Sequence, residues 1–486
     1  MKLSLRFNAL LRIFHTAMNI IIPLIVGPYV IRTLSKTSYD TYTKAQVELQ
    51  LFLVLAGVSI FTYGVRNLSK VRENKEEAKK TFTEIFIYSS ILVGIFTLLY
   101  LLYVIFVNNN SGEAIYYILM LHFVGSLLTV EWLNEAFENY KFITFKSVLV
   151  KVFYVGLIFG FLREDNVIIY TYIVSIIFIL DHLISFIYVI KKHGFCFKGI
   201  NLKKHLKPII LIFLISNISL MYMQADKLML GLLLSDSAVT TYTIPSYIVT
   251  SFYNVVISIF IVAIPRLNNY FQNKSKDDYT KLYNEVIRTF FIVFIPILVF
   301  IFVLSDEIII LYASGKYNES ITPLKYFSLV IFLNATTYLQ REGVLYVFER
   351  EKYIIKFNLI AGLINIISNL ILYFLGLFTP TTAIITLGIS FFFLTVIMRI
   401  NVKREVNEKI KLIDLHTIKY FGFSLAVVLI NFFIGLFISN MLIKLGLVLI
   451  VFFIIYLILL MISKDKILLI NYKIIKEKFI NKKSKT

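Results

Sequence analysis

The sequence predicts an all-α polytopic membrane protein of about fourteen transmembrane helices, and three observations carry that expectation. Its 486 residues are 58% hydrophobic and 16% charged, with a mean hydropathy of +0.81, whereas a soluble domain carries about 25% charged residues. The apolar residues fall in runs of the length a bilayer demands, since about 20 helical residues cross its roughly 30 Å of hydrocarbon. The connections between runs alternate between rich and poor in Lys and Arg, as cytoplasmic and external loops do.

Apolar runs bounded by charged or Gly/Asn/Pro breaks place spans near 10–31, 42–65, 82–107, 114–137, 143–162, 167–190, 208–234, 241–265, 286–304, 321–348, 354–375, 380–400, 416–439 and 445–462. The first lacks a small-residue cleavage site and ends in Pro28-Tyr29-Val30-Ile31-Arg32, so it is expected to be an uncleaved span rather than a signal peptide. Pro23 and Pro28 in that span, and Pro296 in the ninth, remove backbone donors and are expected to bend their helices.

One set of loops carries Arg66, Lys70, Arg72, Lys75, Lys79 and Lys80, then Lys141, Lys146 and Lys151, and basic clusters over 191–207, 266–288, 350–356 and 399–411. The opposite set offers only Arg32, Lys36, Arg163, Lys316 and Lys444. This bias predicts an even number of spans with both termini in the cytoplasm. It also disperses the formal net charge of +20 along the loops, where it reads as topology signal and contact with anionic membrane lipid, not as a nucleic-acid patch. The external loops are short, the longest running over about 305–320, and the Lys-rich tail 463–486 is expected on the cytoplasmic membrane surface. Cys196 is the only cysteine, which excludes a disulfide framework and a CxxC site and leaves an inert loop thiol as the reading.

An internal repeat divides the chain. A shift of 200 residues lays Leu34-Ser35 and Thr41-Tyr42-Thr43 over Leu234-Ser235 and Thr241-Tyr242-Thr243, and Arg66 over Arg266. A shift of 211 lays Phe137-Glu138 and Lys141-Phe142-Ile143 over Phe348-Glu349 and Lys352-Tyr353-Ile354. The unit is six helices, so two copies share one orientation and a pseudo-two-fold axis along the membrane normal is expected, with the pathway between them. The expected domains are an N-lobe over 1–207, a C-lobe over 208–411, and two further helices with the basic tail over 412–486.

The chain carries no metal-ligand pair on a helix, no Gly-rich phosphate loop and no nucleophile motif, so neither an enzyme nor a cofactor or metal is expected. His15, His122, His182, His193, His205 and His416 are scattered, and most read as interfacial or loop residues. Ionisable residues within or at the ends of spans are the candidates, because they are costly in hydrocarbon and usually face a bundle interior or an aqueous cavity. Arg12 opens the first span and Arg32 follows it, while Arg66 and Arg266 end the second and eighth at repeat-equivalent positions. Guanidinium groups there either grip a diphosphate in two-pronged fashion or snorkel at the cytoplasmic edge.

Glu48 lies four residues after Lys44 on the second span, where the two share a face and either neutralise each other or line a cavity. Asp226 and Lys227 are adjacent in the seventh span and point about 100° apart, so they are not expected to pair with one another, and Arg341 with Glu342 in the tenth pose the same question. Glu131, Glu135 and Glu138 form an acidic stripe with Lys141 or Lys146 as partners, which reads first as structural.

With these residues in order, the chain resembles the Wzx-type polysaccharide flippases (O-antigen, capsule and exopolysaccharide) of the superfamily that also contains the MATE multidrug exporters. The resemblance runs over essentially the whole chain. Its anchors are Pro28-Tyr29-Val30-Ile31-Arg32-Thr33-Leu34 with Tyr39, Tyr63-Gly64-Val65-Arg66, Trp132-Leu133 with Glu138, Asp226-Lys227-Leu228-Met229-Leu230-Gly231, and Pro265-Arg266. Ser35 stands where the family has glycine, and Thr381-Thr382-Ala383-Ile384 with Ser390-Phe391 lacks the usual Gly-Ala and terminal Ser-Glu, so no role carries over to that acidic position.

The resemblance implies two MATE-like six-helix lobes plus two C-terminal helices in a bacterial inner membrane. It implies an undecaprenyl-diphosphate-linked oligosaccharide as substrate, moved by alternating access around a cationic cavity and handed outside to a polysaccharide polymerase or transferase by a monomeric carrier. Arg12, Arg32, Arg66 and Arg266 are then the expected substrate-binding set, with Glu48, Asp226, Lys227 and Arg341 as coupling or cavity residues. The alternative is a Na⁺- or H⁺-coupled multidrug or metabolite exporter with Glu48 or Asp226 as the coupling carboxylate.

Overall fold

The computed structural model describes residues 5–106, 113–406, 410–465 and 467–469, with the side chains of 5–17, 20, 58, 113, 214–223, 351 and 405–406 outside the description. The helices in chain order are α1 (Leu5–Thr33), α2 (Lys36–Val71), α3 (Lys75–Phe106), α4 (Glu113–Leu119), α5 (Leu121–Leu127), α6 (Glu131–Ala136), α7 (Tyr140–Phe161), α8 (Val167–His193) and α9 (Lys203–Leu233). They continue as α10 (Asp236–Asn273), α11 (Lys276–Val303), α12 (Ser305–Ala313), α13 (Ile321–Gln340), α14 (Glu351–Phe374), α15 (Pro380–Val406), α16 (Leu415–Ser424), α17 (Ala426–Phe437) and α18 (Met441–Ile462).

Among the described residues, 11 segments are long and apolar enough to cross a membrane. The protein is a multi-pass membrane protein. Helix α1 contributes only a shorter apolar stretch, Ile21–Thr33, to that account. The fourth expected span is not one helix: the chain breaks at Met120 and again at 128–130, giving α4, α5 and α6. Helix α1 runs through both Pro23 and Pro28, and α11 runs through Pro296.

Short polar side chains start the long helices, as capping requires. Ser35 accepts from the Ser38 amide at 3.2 Å, and its repeat counterpart Ser235 accepts from the Ala238 amide at 3.2 Å. The second repeat match behaves alike: Glu138 and Glu349 both adopt the left-handed backbone region, with φ of 55° and 57°, a conformation uncommon outside glycine. The matched sequence positions therefore share local geometry.

The chain divides into two compact units, one of Met1–Thr243 with Asn358–Ala383, the other of Ile244–Phe357 with Ile384–Thr486. In the first, α2 packs on α3, α6 and α9, while α1 packs on α7 and α5 on α8. One apolar cluster gathers Val30, Leu34, Leu49, Tyr100, Phe123 and Ile173, and a second gathers Ile60, Phe82, Trp132 and Val189. Trp132 lies over Gly64 so closely that a Cβ there would stand 2.6 Å from the indole. Two of the sequence anchors, Tyr63-Gly64 and Trp132-Leu133, thus meet.

In the second unit, α11 packs against α13 and α16, and α17 pairs with α18. Asp414 starts α16 in a reciprocal capping box with Thr417 and also accepts from Arg288 of α11, at 2.9 Å from Nε and 2.8 Å from a terminal nitrogen. Burial opposes ionisation of this carboxyl, but the Thr417 amide and the Arg288 guanidinium outweigh it and hold its pKa below the usual carboxylate range. A depressed folded pKa contributes stability above the unfolded carboxyl value of about 3.9 and loses it as pH falls through the folded value. Asp414→Asn is therefore expected to melt below the wild type at neutral pH, and the gap should close in acid. Thermal melts of the detergent-purified protein across that pH range measure it, and a pH-independent gap would contradict it.

Candidate functional site

The first unit holds a half-open cavity of about 650 Å³, in whose largely apolar wall Asn19, Gln46, Gln50, Glu131, Lys146 and Asp181 are set from α1, α2 and α6 to α8. Helix α7 shows why it forms. Lys146, Ser147, Val150 and Tyr154 recur at helical spacing and line the cavity, whereas Phe145 and Val152 on the opposite face are 71% and 62% exposed. In water such a helix would be inside out; with hydrocarbon around the unit, the apolar face belongs outside and the polar one within.

Lys146 organises this interior. Only 4% exposed, its ammonium donates to Ser185 Oγ at 3.0 Å, Asp181 Oδ2 at 3.0 Å, the Asp181 carbonyl at 3.2 Å and Glu131 Oε2 at 3.4 Å. Three N–H groups facing four acceptors are fully committed. Ser185 Oγ also donates to Glu131 Oε2. Glu131 reaches this position because α5 ends early: the chain turns at 128–130, where the Trp132 indole N–H donates to the Thr129 carbonyl at 3.1 Å, and α6 begins at Glu131.

Glu131 Oε1 and Gln46 Oε1 are buried and have no hydrogen-bond partner among the described residues. His122 and His182, expected at interfaces or in loops, line the same cavity from α5 and α8. His205 is also buried, bonded to Tyr63 at 2.6 Å and to Glu84 at 2.9 Å.

Several expectations for the candidate residues need correction. Lys44 does not hydrogen-bond to Glu48; its ammonium binds Asp236 at 2.9 Å. Glu48, 3% exposed, turns its side chain toward Tyr103 and Tyr116 in the aromatic packing of α3 and α4. The acidic stripe meets Lys146 through Glu131, as expected, but does not act as one face: Glu135 accepts from Tyr140 at 3.2 Å, and Glu138 binds Arg72 at 2.8 Å. The left-handed residue at Glu138 breaks the helical spacing on which the stripe depended.

Asp226 is fully buried and does not use Lys227. Its two oxygens accept from Asn369 Nδ2 at 2.6 Å and from the Tyr242 hydroxyl at 2.9 Å, which ties α9 to α14 and the first turns of α10. Lys227 is half-buried. Arg341 and Glu342, in contrast, do pair, at 2.9 Å from Nε to Oε1. The reason is local: Arg341–Leu345 is a turn of π-helix, whose wider spiral lets neighbouring side chains meet. Arg341 also lies over the Tyr338 ring, 5.2 Å from its centre.

Arg32, Arg66 and Arg266 are exposed, and Arg266 lies 5.5 Å from the centre of the Tyr270 ring. The side chain of Arg12 lies outside the described residues, as does the tail beyond 469. The residues that sequence reasoning set aside are therefore the ones the cavity brings together. Lys146 and Lys151 read as loop charges, yet their positions four and nine residues inside an apolar run beginning near Phe142 were the available signal.

Fold and site together define a multi-pass membrane protein, an apolar helical bundle with charged side chains inside its first unit. Residues 8–271 match the polysaccharide biosynthesis protein family, and the chain belongs to it. It is 23% identical over 167 residues to the putative O-antigen transporter of Escherichia coli (strain K12), an alignment covering 34% of this chain and 40% of that protein. In solved structures the same fold occurs in the lipid II flippase MurJ in an inward closed conformation, with a TM-score of 0.70, 16% identity, and 94% of this chain and 99% of that chain covered. It also occurs in an outward-facing multidrug resistance MATE family transporter of the MOP superfamily, with a TM-score of 0.60, 12% identity, and 82% and 94% covered.

Proposed function

We propose that the protein is a flippase that carries an undecaprenyl-diphosphate-linked oligosaccharide repeat unit from the cytoplasmic to the outer leaflet of a bacterial inner membrane. It does so by alternating access and delivers the unit to a surface polysaccharide polymerase or transferase. In this reading the chain crosses the membrane fourteen times, as two six-helix lobes (1–207 and 208–411) and a C-terminal pair (412–486), with both termini in the cytoplasm.

The observation that supports it is the hydrogen-bonding cavity inside a lipid-facing unit of a polysaccharide biosynthesis family member. Sugar hydroxyls and a diphosphate are heavily penalised in hydrocarbon, and a polar enclosure removes much of that barrier. Arg12, Arg32, Arg66 and Arg266 recruit the diphosphate, and Glu48, Asp226, Lys227 and Arg341 support the path. An inside-negative potential favours outward movement of the anion by about 2.3 kcal/mol per charge per 100 mV if the charge crosses the full field, so ion coupling is dispensable.

Deleting the gene tests the reading. Lipid-linked repeat units should accumulate inside while surface polysaccharide disappears, and the cloned gene should reverse both. Unchanged surface polysaccharide in the deletion would end the proposal, and drug sensitivity in its place would favour an exporter of the MATE type.

A further inference from the structure

The wall of the cavity in the first unit carries Glu131, Glu135 and Asp181 against Lys146 and Lys151. Lys146 lines it but is spent on Glu131, Asp181 and Ser185, so its charge is neutralised locally. Oε1 of Glu131 on α6 and Oε1 of Gln46 on α2 have no hydrogen-bond partner among the described residues and are closed off just behind the wall to which both side chains belong. A buried acceptor without a donor costs about 1–3 kcal/mol, so both gain by rotating onto a ligand that brings hydrogen-bond donors. Gln50, one turn beyond Gln46, adds a second amide to the same face, and Tyr154 and Phe178 supply aromatic walls. Planar carboxylate and amide groups flanked by aromatic rings suit the vicinal hydroxyls and apolar C–H faces of a pyranose. The volume of about 650 Å³ lies within the roughly 300–1,000 Å³ of small-molecule sites.

We propose that this cavity is a sugar subsite: it receives a neutral or amino-substituted sugar of the lipid-linked unit, whose donors reach Glu131 Oε1 and Gln46 Oε1, while the diphosphate stays outside it. The inference rests on the flippase reading and names the chemistry of one part of its path. Glu131 and Gln46 touch the substrate; Lys146 and Ser185 are positioning residues that orient Glu131. A uronic acid is disfavoured there, because its carboxylate would face Glu131, Glu135 and Asp181, with Lys151 as the remaining lysine on the wall.

Cysteine protection tests this in the full-length protein in cells. Cys196, the only cysteine, is replaced by serine, and a reporter thiol is placed on the wall by Val174→Cys or, separately, Ser147→Cys, with Phe197→Cys in a loop as the control. Labelling by a small neutral methanethiosulfonate is compared between cells making the lipid-linked unit and cells blocked at the first sugar-phosphate transfer onto the carrier. Wall thiols should label at least tenfold more slowly in producing cells, the loop thiol equally in both, and Glu131→Gln should remove most of that protection, since loss of a hydrogen bond to a charged acceptor weakens binding by roughly tenfold.

Equal labelling of both wall thiols in cells that export normally overturns the subsite and leaves the flippase reading standing. Absence of any export defect in the deletion strain fails the flippase reading itself. Protection in blocked cells that follows Na⁺ in place of K⁺, or added pyrophosphate, would assign the cavity to a cation or to the diphosphate, and either result overturns the sugar subsite. If neither wall variant exports, the Gln46→Ala and Glu131→Gln proteins decide: wild-type export by both overturns it, and a loss in both at wild-type membrane abundance and melting temperature supports it.

Discussion

Lys146→Met is expected to abolish export and to lower the melting temperature of the purified protein. The methionine fills the space of the lysine stem, but Glu131 and Asp181 lose the cation between them and Ser185 keeps only one of its two partners. Breaking a buried ion pair from one side costs about 3–5 kcal/mol, because the remaining charge is uncompensated. The carboxylate side chains here are 19% and 33% exposed toward the cavity, so the lower end of that range applies. The triple variant Lys146→Met, Glu131→Gln, Asp181→Asn removes the uncompensated charges and should recover most of the stability. It should not recover export, since Glu131 no longer offers a carboxylate oxygen to the cavity. Thermal melts and surface polysaccharide measured on the same strains separate the two effects. A single Lys146→Met protein that melts with the wild type would show that the ammonium is not the organiser proposed for it.

Lys146 as a partner of Glu131 is legible in the sequence, but the cavity around the pair is not, for a specific reason. Hydropathy and loop charge are local quantities, so they located most of the apolar segments, while helices such as α2 (Lys36–Val71) and α10 (Asp236–Asn273) overrun the expected 42–65 and 241–265. The contacts that make the cavity join residues 15 to 54 positions apart, and the Asp226 contact joins residues 143 apart. No periodicity encodes such distances. Lys146 and Lys151 looked like topology signals because the boundary of the fifth span was drawn from charge itself, near Ile143, while the helix runs from Tyr140, buries Lys146 and turns the half-buried Lys151 to the same inner face. Of the two readings of Lys44 and Glu48, a hydrogen-bonded pair gives way to Lys44–Asp236, because an i,i+4 spacing permits a pair but does not exclude a better partner, and Asp236 opens α10 within reach. The sequence motifs fared better where steric demand is strict. Gly64 and Trp132 belong to separate anchors of the family pattern, and the indole stacked on the glycine gives both a physical cause.

Gly343→Val is expected to destabilise the second unit strongly. Helix α13 gives way to a π-helical turn at Arg341–Leu345, where Tyr346 and Arg350 donate five residues back, to the Arg341 and Leu345 carbonyls at 2.8 and 2.7 Å. The irregular register leaves carbonyls that a regular α-helix would occupy, and two tyrosines one turn apart on α11 take them: Tyr279 donates to Gly343, and Tyr283 donates to Leu339 at 2.8 Å. That arrangement draws the rings against the glycine. A Cβ at 343 would stand 2.3 Å from Tyr283 Cε2 and 2.7 Å from Phe260 Cζ. Both rings are fully buried, so neither swings aside without opening a hole elsewhere. Overpacking of this kind costs about 1–3 kcal/mol and more when a ring is wedged, and a branched side chain worsens it. Because the same turn aims Arg341 at Glu342, the valine should disturb that pair as well. Gly343→Ala should show a smaller loss, and trimming the wedge with Phe260→Leu should return part of it. Melting temperatures of the three variants give the ordering, and a Gly343→Val protein as stable as the wild type would mean that the π-turn does not persist in the membrane.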